Sequence, residues 1–201
     1  MKIAIIKYNA GNIMSVDFAL QRLGIKANVT SDQDEIRSAD RVIFPGVGEA
    51  STTMAYLRHH KLDQLIRDLK QPVLGICLGL QLMCSHSEEG DVDCLGIFPE
   101  MVKRFIPEPG MEPMLKVPHM GWNSITGLKS NLFNESLENQ YFYFVHSYYA
   151  TSGTHTAAFC SYMIQFSAAL QKDNFYATQF HPEKSGKVGA KILENFIKMK
   201  E

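Results

Sequence analysis

The chain has 201 residues, of which 45% are hydrophobic and 20% charged, with a formal net charge of -1. This is globular composition with enough length for a sizeable core, and it reads as a single domain spanning residues 1–201. The near-neutral balance offers no basic surface for nucleic acid or anionic lipid, and no apolar run approaches the ~20 residues that cross a bilayer.

The first strand is expected at Ile3 to Tyr8. The N-terminal run carries Lys2 and Lys7 and reads as a buried strand rather than a signal peptide. Asn9-Ala10-Gly11-Asn12 marks a turn, and Val16, Ala19, Leu20 and Leu23 recur at helical spacing within Ser15 to Leu23. Ala27-Asn28-Val29 is a short second strand. Arg41 to Phe44 is a third, entering the turn Pro45-Gly46-Val47-Gly48. Helical patterns follow at Ser51 to Leu57 and Leu62 to Leu69, before the apolar strand ending at Cys77. Strands separated by helices imply a mostly parallel open sheet covered on both faces.

The second half changes character. Met101 to Ile106, Phe142 to Tyr149, Thr156 to Cys160, Ser167 to Leu170 and Phe175 to Phe180 are short aromatic or β-branched runs separated by polar turns. They read as an antiparallel or mixed extension of the sheet. Gly186 to Met199 closes as an amphipathic helix with Val188, Ile192, Leu193, Phe196 and Ile197 inward. The fold class is therefore α/β, with an antiparallel or mixed C-terminal extension.

Chemistry concentrates at Gly75-Ile76-Cys77-Leu78-Gly79, the thiol counterpart of the Gly-x-Ser-x-Gly elbow. A nucleophile on a strand-to-helix turn needs unusual backbone angles, and flanking glycines let that turn close. The helix that follows directs free N–H groups and its positive end at the sulfur, favouring the reactive thiolate. Downstream, Gln179-Phe180-His181-Pro182-Glu183 ends a strand-like run. Residues two apart share one side of an extended chain, so Glu183 is placed to orient His181 while His181 serves Cys77.

The remaining candidates carry less. The four cysteines, Cys77, Cys84, Cys94 and Cys160, lack zinc or secreted-disulfide spacing, which points to a reducing cytoplasm. Cys84 with His86 gives two ligands without a third, so no metal is expected. His59 and His60 read as a solvated helix end. His146, in an aromatic strand, reads as support for the Ser147-Tyr148 turn. His119, Met111, Met114 and Met120 lie near Trp122 and read as packing, with partner docking as the sharper alternative.

Taken together, the chain resembles the class I, triad-type glutamine amidotransferases over nearly its full length. The elbow and His181-Pro182-Glu183 are shared across that family. Asn9-Ala10-Gly11-Asn12 with Ser15-Val16 and His146-Ser147-Tyr148-Tyr149 also carry the match, while Pro45-Gly46-Val47-Gly48, Gly121-Trp122-Asn123 and Glu183-Lys184-Ser185 point to its histidine-pathway branch. The resemblance implies a Cys77-His181-Glu183 triad acting on L-glutamine, with no cofactor. It implies an oxyanion hole from the Leu78 N–H and Gly46-Val47-Gly48, and glutamine binding by Gln81, Glu89, Ser147 and Tyr148. It also implies ammonia transfer to a cyclase subunit of (β/α)8-barrel type in a heterodimer, with Trp122, Asn123 and Lys184 at the partner interface. The triad leaves open a paralogue serving a surface-sugar synthase, or a cysteine hydrolase on the same scaffold.

Overall fold

The computed structural model describes residues 1–9, 12–107 and 116–199. The first half contains β1 (Ile3–Ile6), α1 (Ile13–Arg22), β2 (Asn28–Thr30), α2 (Gln33–Arg37), β3 (Arg41–Gly46), α3 (Ala50–His59), α4 (Leu62–Asp68), β4 (Val73–Cys77) and α5 (Leu78–Met83). Next come β5 (His86–Ser87), β6 (Val92–Asp93), β7 (Met101–Arg104), β8 (His119–Ser124), β9 (Tyr141–His146) and β10 (Tyr148–Ala150). The chain ends with β11 (Thr156–Tyr162), β12 (Ile164–Lys172), β13 (Phe175–Thr178), a 3-10 turn at Pro182–Lys184 and α6 (Gly186–Lys198).

A seven-stranded sheet in the order β11-β12-β13-β4-β3-β1-β2 forms the frame. Strands β2, β1, β3, β4 and β13 run parallel, while β12 and β11 add antiparallel to β13. The parallel strands are covered on both faces, which is why their runs are continuously apolar. Alternation in β1 divides its side chains: Ile3 and Ile5 join one core with Val16 and Leu20 of α1 and Phe196 of α6, while Ala4 and Ile6 join the other with Leu57, Leu65 and Leu80. The parallel arrangement brings the ends of β3, β4 and β13 side by side. Gly46 is opposite Cys77, and Thr178 is opposite Ile76. Ligand sites form at such carboxyl ends.

The expected extension of the sheet is realised by β11 and β12, but Met101–Arg104 and the aromatic run beginning at Tyr141 do not join it. Strands β10, β7, β5 and β6 form a separate four-stranded sheet, and β8 pairs with β9. The run expected as one strand from Phe142 to Tyr149 is broken at Ser147, so its halves serve different sheets. Strand β8 and the five-residue α2 have no counterpart among the expected elements, because Gly121 and Asn123 dilute strand propensity and Gln33–Arg37 is too short and polar for a periodic stripe. The helix of Ala50–His59 extends past both expected ends, capped by the Glu49 carboxylate on the N–H groups of Ser51 and Thr52. The turn residues Ala10 and Gly11, and Met111 and Met114, lie outside the described residues.

Candidate active site

Cys77 closes β4 and caps α5 with φ 55 and ψ -107, a backbone conformation that costs a residue with a Cβ on the order of 1–3 kcal/mol. The surrounding glycines serve close approach. A Cβ on Gly79 would stand 2.1 Å from the Phe44 carbonyl oxygen, and one on Gly75 would stand 2.9 Å from the Met83 sulfur. As expected, the unusual backbone angles fall on Cys77 itself, while the glycines let the turn close by allowing α5 to press against β3 and β4. All six residues of α5 are buried, and its first N–H, at Leu78, adjoins the nucleophile.

His181 is fully buried, and its Nδ1 lies 2.7 Å from Oε1 of Glu183. A carboxylate accepts, so Nδ1 carries the hydrogen and Nε2 is the nitrogen turned away from Glu183. That second nitrogen is buried, with the Cys77 side chain beside the ring. Burial works against charge on the ring, but the Cys77 sulfur and then the Glu183 carboxylate outweigh it and hold His181 up to about 10. Asn12 also donates its side-chain amide to Glu183 Oε1. Although it stands at the N-cap of α1, in the left-handed region, it makes no capping side-chain bond.

Sequence reasoning assigned no role to Asn12 or Gln179. The Gln179 amide lies 3.7 Å from the Cys77 sulfur, and its Oε1 accepts from Gln81 Nε2 at 3.1 Å. The signal for Gln179 was available: it precedes His181 by two residues in an extended run, the same spacing that linked His181 to Glu183. The contact of Asn12 depends on α1 meeting the segment after β13, which no local pattern encodes.

Beside the sulfur lies a cavity of about 260 Å³ lined by residues including Val47, Gly48, Leu78, Gln81, Glu89 and Tyr148. Ser147 and His146 also line it, as do Pro118 and Val145, which the sequence did not suggest. Gln81 donates to the Tyr148 carbonyl at 2.8 Å as well as to Gln179, so both its amide hydrogens are committed and Oε1 is left for the cavity. Burial raises the Glu89 carboxyl against the hydrogen bond from the Ala50 N–H at 3.0 Å. Gly46 does not line the cavity. It packs below, where a Cβ would come 2.5 Å from the Tyr8 hydroxyl, which itself donates to the Pro45 carbonyl at 2.6 Å. Gly48, at φ 136, occupies a conformation suited to glycine. A larger hollow of about 460 Å³ opens at the N-terminal ends of β1 and β2, away from Cys77 and His181.

Of the residues expected at a partner interface, Trp122 is 55% exposed and Lys184 is also exposed. Asn123 is half-buried and bonded within the chain, to Ser161 and His119 through Nδ2 and to the Ser124 N–H through Oδ1. Cys84 is buried and donates to the Leu80 carbonyl, while His86 pairs with Asp91 and Asp93 on the β5–β6 hairpin.

A base held by a carboxylate, beside a thiol at a strained elbow, is the apparatus of acyl transfer through a thioester. The sequence profile of the class-I glutamine amidotransferases matches residues 5–199. The imidazole glycerol phosphate synthase subunit HisH of Bacteroides fragilis (strain ATCC 25285) is 61% identical over 199 residues, covering 99% of this chain and 100% of that protein. The HisH subunit of Haemophilus influenzae (strain Rd) is 46% identical, covering 98% of this chain and 97% of its own. Among solved structures, a glutamine amidotransferase superposes with a TM-score of 0.72 at 17% identity, covering 96% of both chains, and PurLQS from Thermotoga maritima with 0.69 at 13%, covering 98% and 97%. At such identities these structures bear on the fold alone. The chain belongs to the class-I glutamine amidotransferases and, among them, to the HisH subunits of imidazole glycerol phosphate synthase, the glutaminases of histidine biosynthesis.

Proposed function

We propose that Cys77, His181 and Glu183 hydrolyse the side-chain amide of L-glutamine, and that the ammonia passes to a (β/α)8-barrel cyclase bound as a heterodimer in the cytoplasm. That partner would make imidazole glycerol phosphate and an aminoimidazole carboxamide ribotide. The observation that carries the triad is the 2.7 Å contact of His181 Nδ1 with Glu183, which turns Nε2 toward the sulfur. The Cys77 thiolate attacks the carboxamide carbon, and the oxyanion is met by the Leu78 N–H together with an N–H of the Gly46–Gly48 segment. His181 gives its Nε2 proton to the leaving nitrogen, releasing ammonia and a γ-glutamyl thioester. It then takes a proton from water as the hydroxide attacks, and glutamate and thiolate are regenerated. Glu183 holds the ring throughout by accepting from Nδ1.

Glu89 suits the ammonium group of glutamine, with Gln81 Oε1 and the Ser147-Tyr148 backbone completing the amino-acid head. The partner face is supported by exposed apolar side chains on elements flanking the triad: Met14 and Phe18 on α1, and Met120 and Trp122 on β8, with Lys184 directly after Glu183. Co-purification with the cyclase, followed by glutamate release with and without the cyclase's ribonucleotide, tests the reading. A complex that forms and releases glutamate faster when the nucleotide is bound supports it; absence of glutaminase activity in that complex overturns it.

A further inference from the structure

Tyr148 presents its carbonyl oxygen to two donors. One is Gln81 Nε2, and the other is His146 Nδ1 at 2.7 Å. A carbonyl only accepts, so the hydrogen of His146 sits on Nδ1 and its Nε2 must accept. Its partner there is His119 Nδ1, at 3.0 Å and directly opposite in the β8–β9 pairing. His119 therefore also carries its hydrogen on Nδ1, and its Nε2 faces the Asn123 amide at 3.4 Å. Asn123 cannot be reversed, because Nδ2 also donates to the Ser161 carbonyl and Oδ1 accepts from the Ser124 N–H. Every proton in the chain is thus assigned by carbonyls at its two ends.

We propose that His146 and His119 are positioning residues, forming a buried relay that fixes the Tyr148 carbonyl, and through it Gln81, to the surface strand β8. The proposal rests on the reading of Gln81 and Tyr148 as the glutamine-binding edge of the cavity. Both rings are nearly fully buried, at 3% and 6% exposure. Burial pushes His119 down to about 4 and His146 to about 3, so both are neutral as the geometry requires. The chain continues inward from Gln81 through Gln179 to the Cys77 sulfur. One end of this path is therefore the nucleophile, and the other is the strand that carries exposed Trp122.

His119 stacks on Tyr162, with ring centroids 4.0 Å apart, and on Phe144 at 4.9 Å. His119→Phe keeps that stack and removes both hydrogen bonds, whereas His119→Gln retains a donor and an acceptor. Assayed with L-glutamine in the cyclase complex, His119→Phe is expected to raise KM at least ~10-fold, the effect of about 1.4 kcal/mol, with kcat changed less than about 3-fold. His119→Gln is expected to stay within about 3-fold of the parent in both constants. Nitrogen-15 NMR of histidine-labelled parent protein should show His119 and His146 as neutral Nδ1–H tautomers, a readout that needs neither folding of a variant nor activity. An Nε2–H tautomer at His146 in the parent, or an unchanged KM in folded His119→Phe, overturns the relay. If the parent complex itself releases no glutamate, the glutaminase reading fails, and the tautomers still decide whether the relay exists.

Discussion

His181 and Glu183 meet at 2.7 Å with neither side chain exposed to solvent, and the same carboxylate oxygen accepts from Asn12. The two donors fix the carboxylate in position, and the carboxylate fixes the ring. His181 is held up to about 10, with burial opposing charge and the Cys77 sulfur and Glu183 favouring it. A raised imidazolium persists below that value and is lost as pH rises through it, so the alkaline limb of kcat/KM for glutamine should lie near pH 10. Glu183→Gln should move that limb downward and lower the rate. His181→Ala should cost more, ~10²–10⁴-fold, the usual contribution of general acid–base catalysis. A limb unmoved in Glu183→Gln would show that the carboxylate does not set the state of the ring.

Gln179 is fully buried, with its amide toward the nucleophile. Gln179→Leu keeps similar bulk and removes that donor along with the acceptor for Gln81. Losing a hydrogen bond to a charged group is worth about 1.5–3 kcal/mol, so kcat/KM should fall by roughly 10- to 160-fold. A rate within experimental error of the parent would mean that the sulfur does not rely on this contact.

The proposed mechanism draws one oxyanion N–H from the Val47 segment beside Cys77 and passes the ammonia to a partner, so that free glutamine hydrolysis would waste it. The isolated chain should therefore be a poor glutaminase, stimulated at least ~10-fold by the cyclase with its bound nucleotide, about 1.4 kcal/mol of barrier. Val47→Gly should raise unstimulated turnover, because glycine moves between backbone arrangements at low cost. Equal rates with and without the partner would point to an independent hydrolase.

Stability should also respond to acid through the buried histidines. His119 and His146 stay neutral in the fold to about 4 and about 3, whereas the unfolded chain takes up protons near ~6.5. Below that value the unfolded state binds more protons, so stability falls as pH falls from about 6.5 toward 3. His119→Gln removes one of these groups, and its melting temperature should drop less than the parent's between pH 7 and pH 5. An identical drop in both proteins would show that His119 does not contribute to the acid response.

The residues of the proposed triad are legible in the sequence because their signals are local. Cys77 sits between glycines at the end of an apolar run, and His181 and Glu183 are two residues apart. The parallel half of the sheet followed from its alternation of strand and helix. What stayed hidden depends on contacts distant in sequence: Asn12 reaches Glu183 across 171 positions and Gln179 reaches Cys77 across 102. Ser147 likewise gave no sign that the aromatic strand breaks there and divides between two sheets. The support expected of His146 for the Ser147-Tyr148 turn takes physical form in its bond to the Tyr148 carbonyl.

In the proposed mechanism the Cys77 thiol is the nucleophile, and ammonia is made here but consumed elsewhere. The most direct test is the cyclase complex carrying Cys77→Ala, assayed for glutamate release from L-glutamine and, separately, for product formation when ammonia is supplied at high pH. Glutamate release should vanish while ammonia-supported synthesis continues at the parent's rate, because the acceptor site belongs to the partner. Appreciable glutamate release from the purified Cys77→Ala complex would show that another group is the nucleophile.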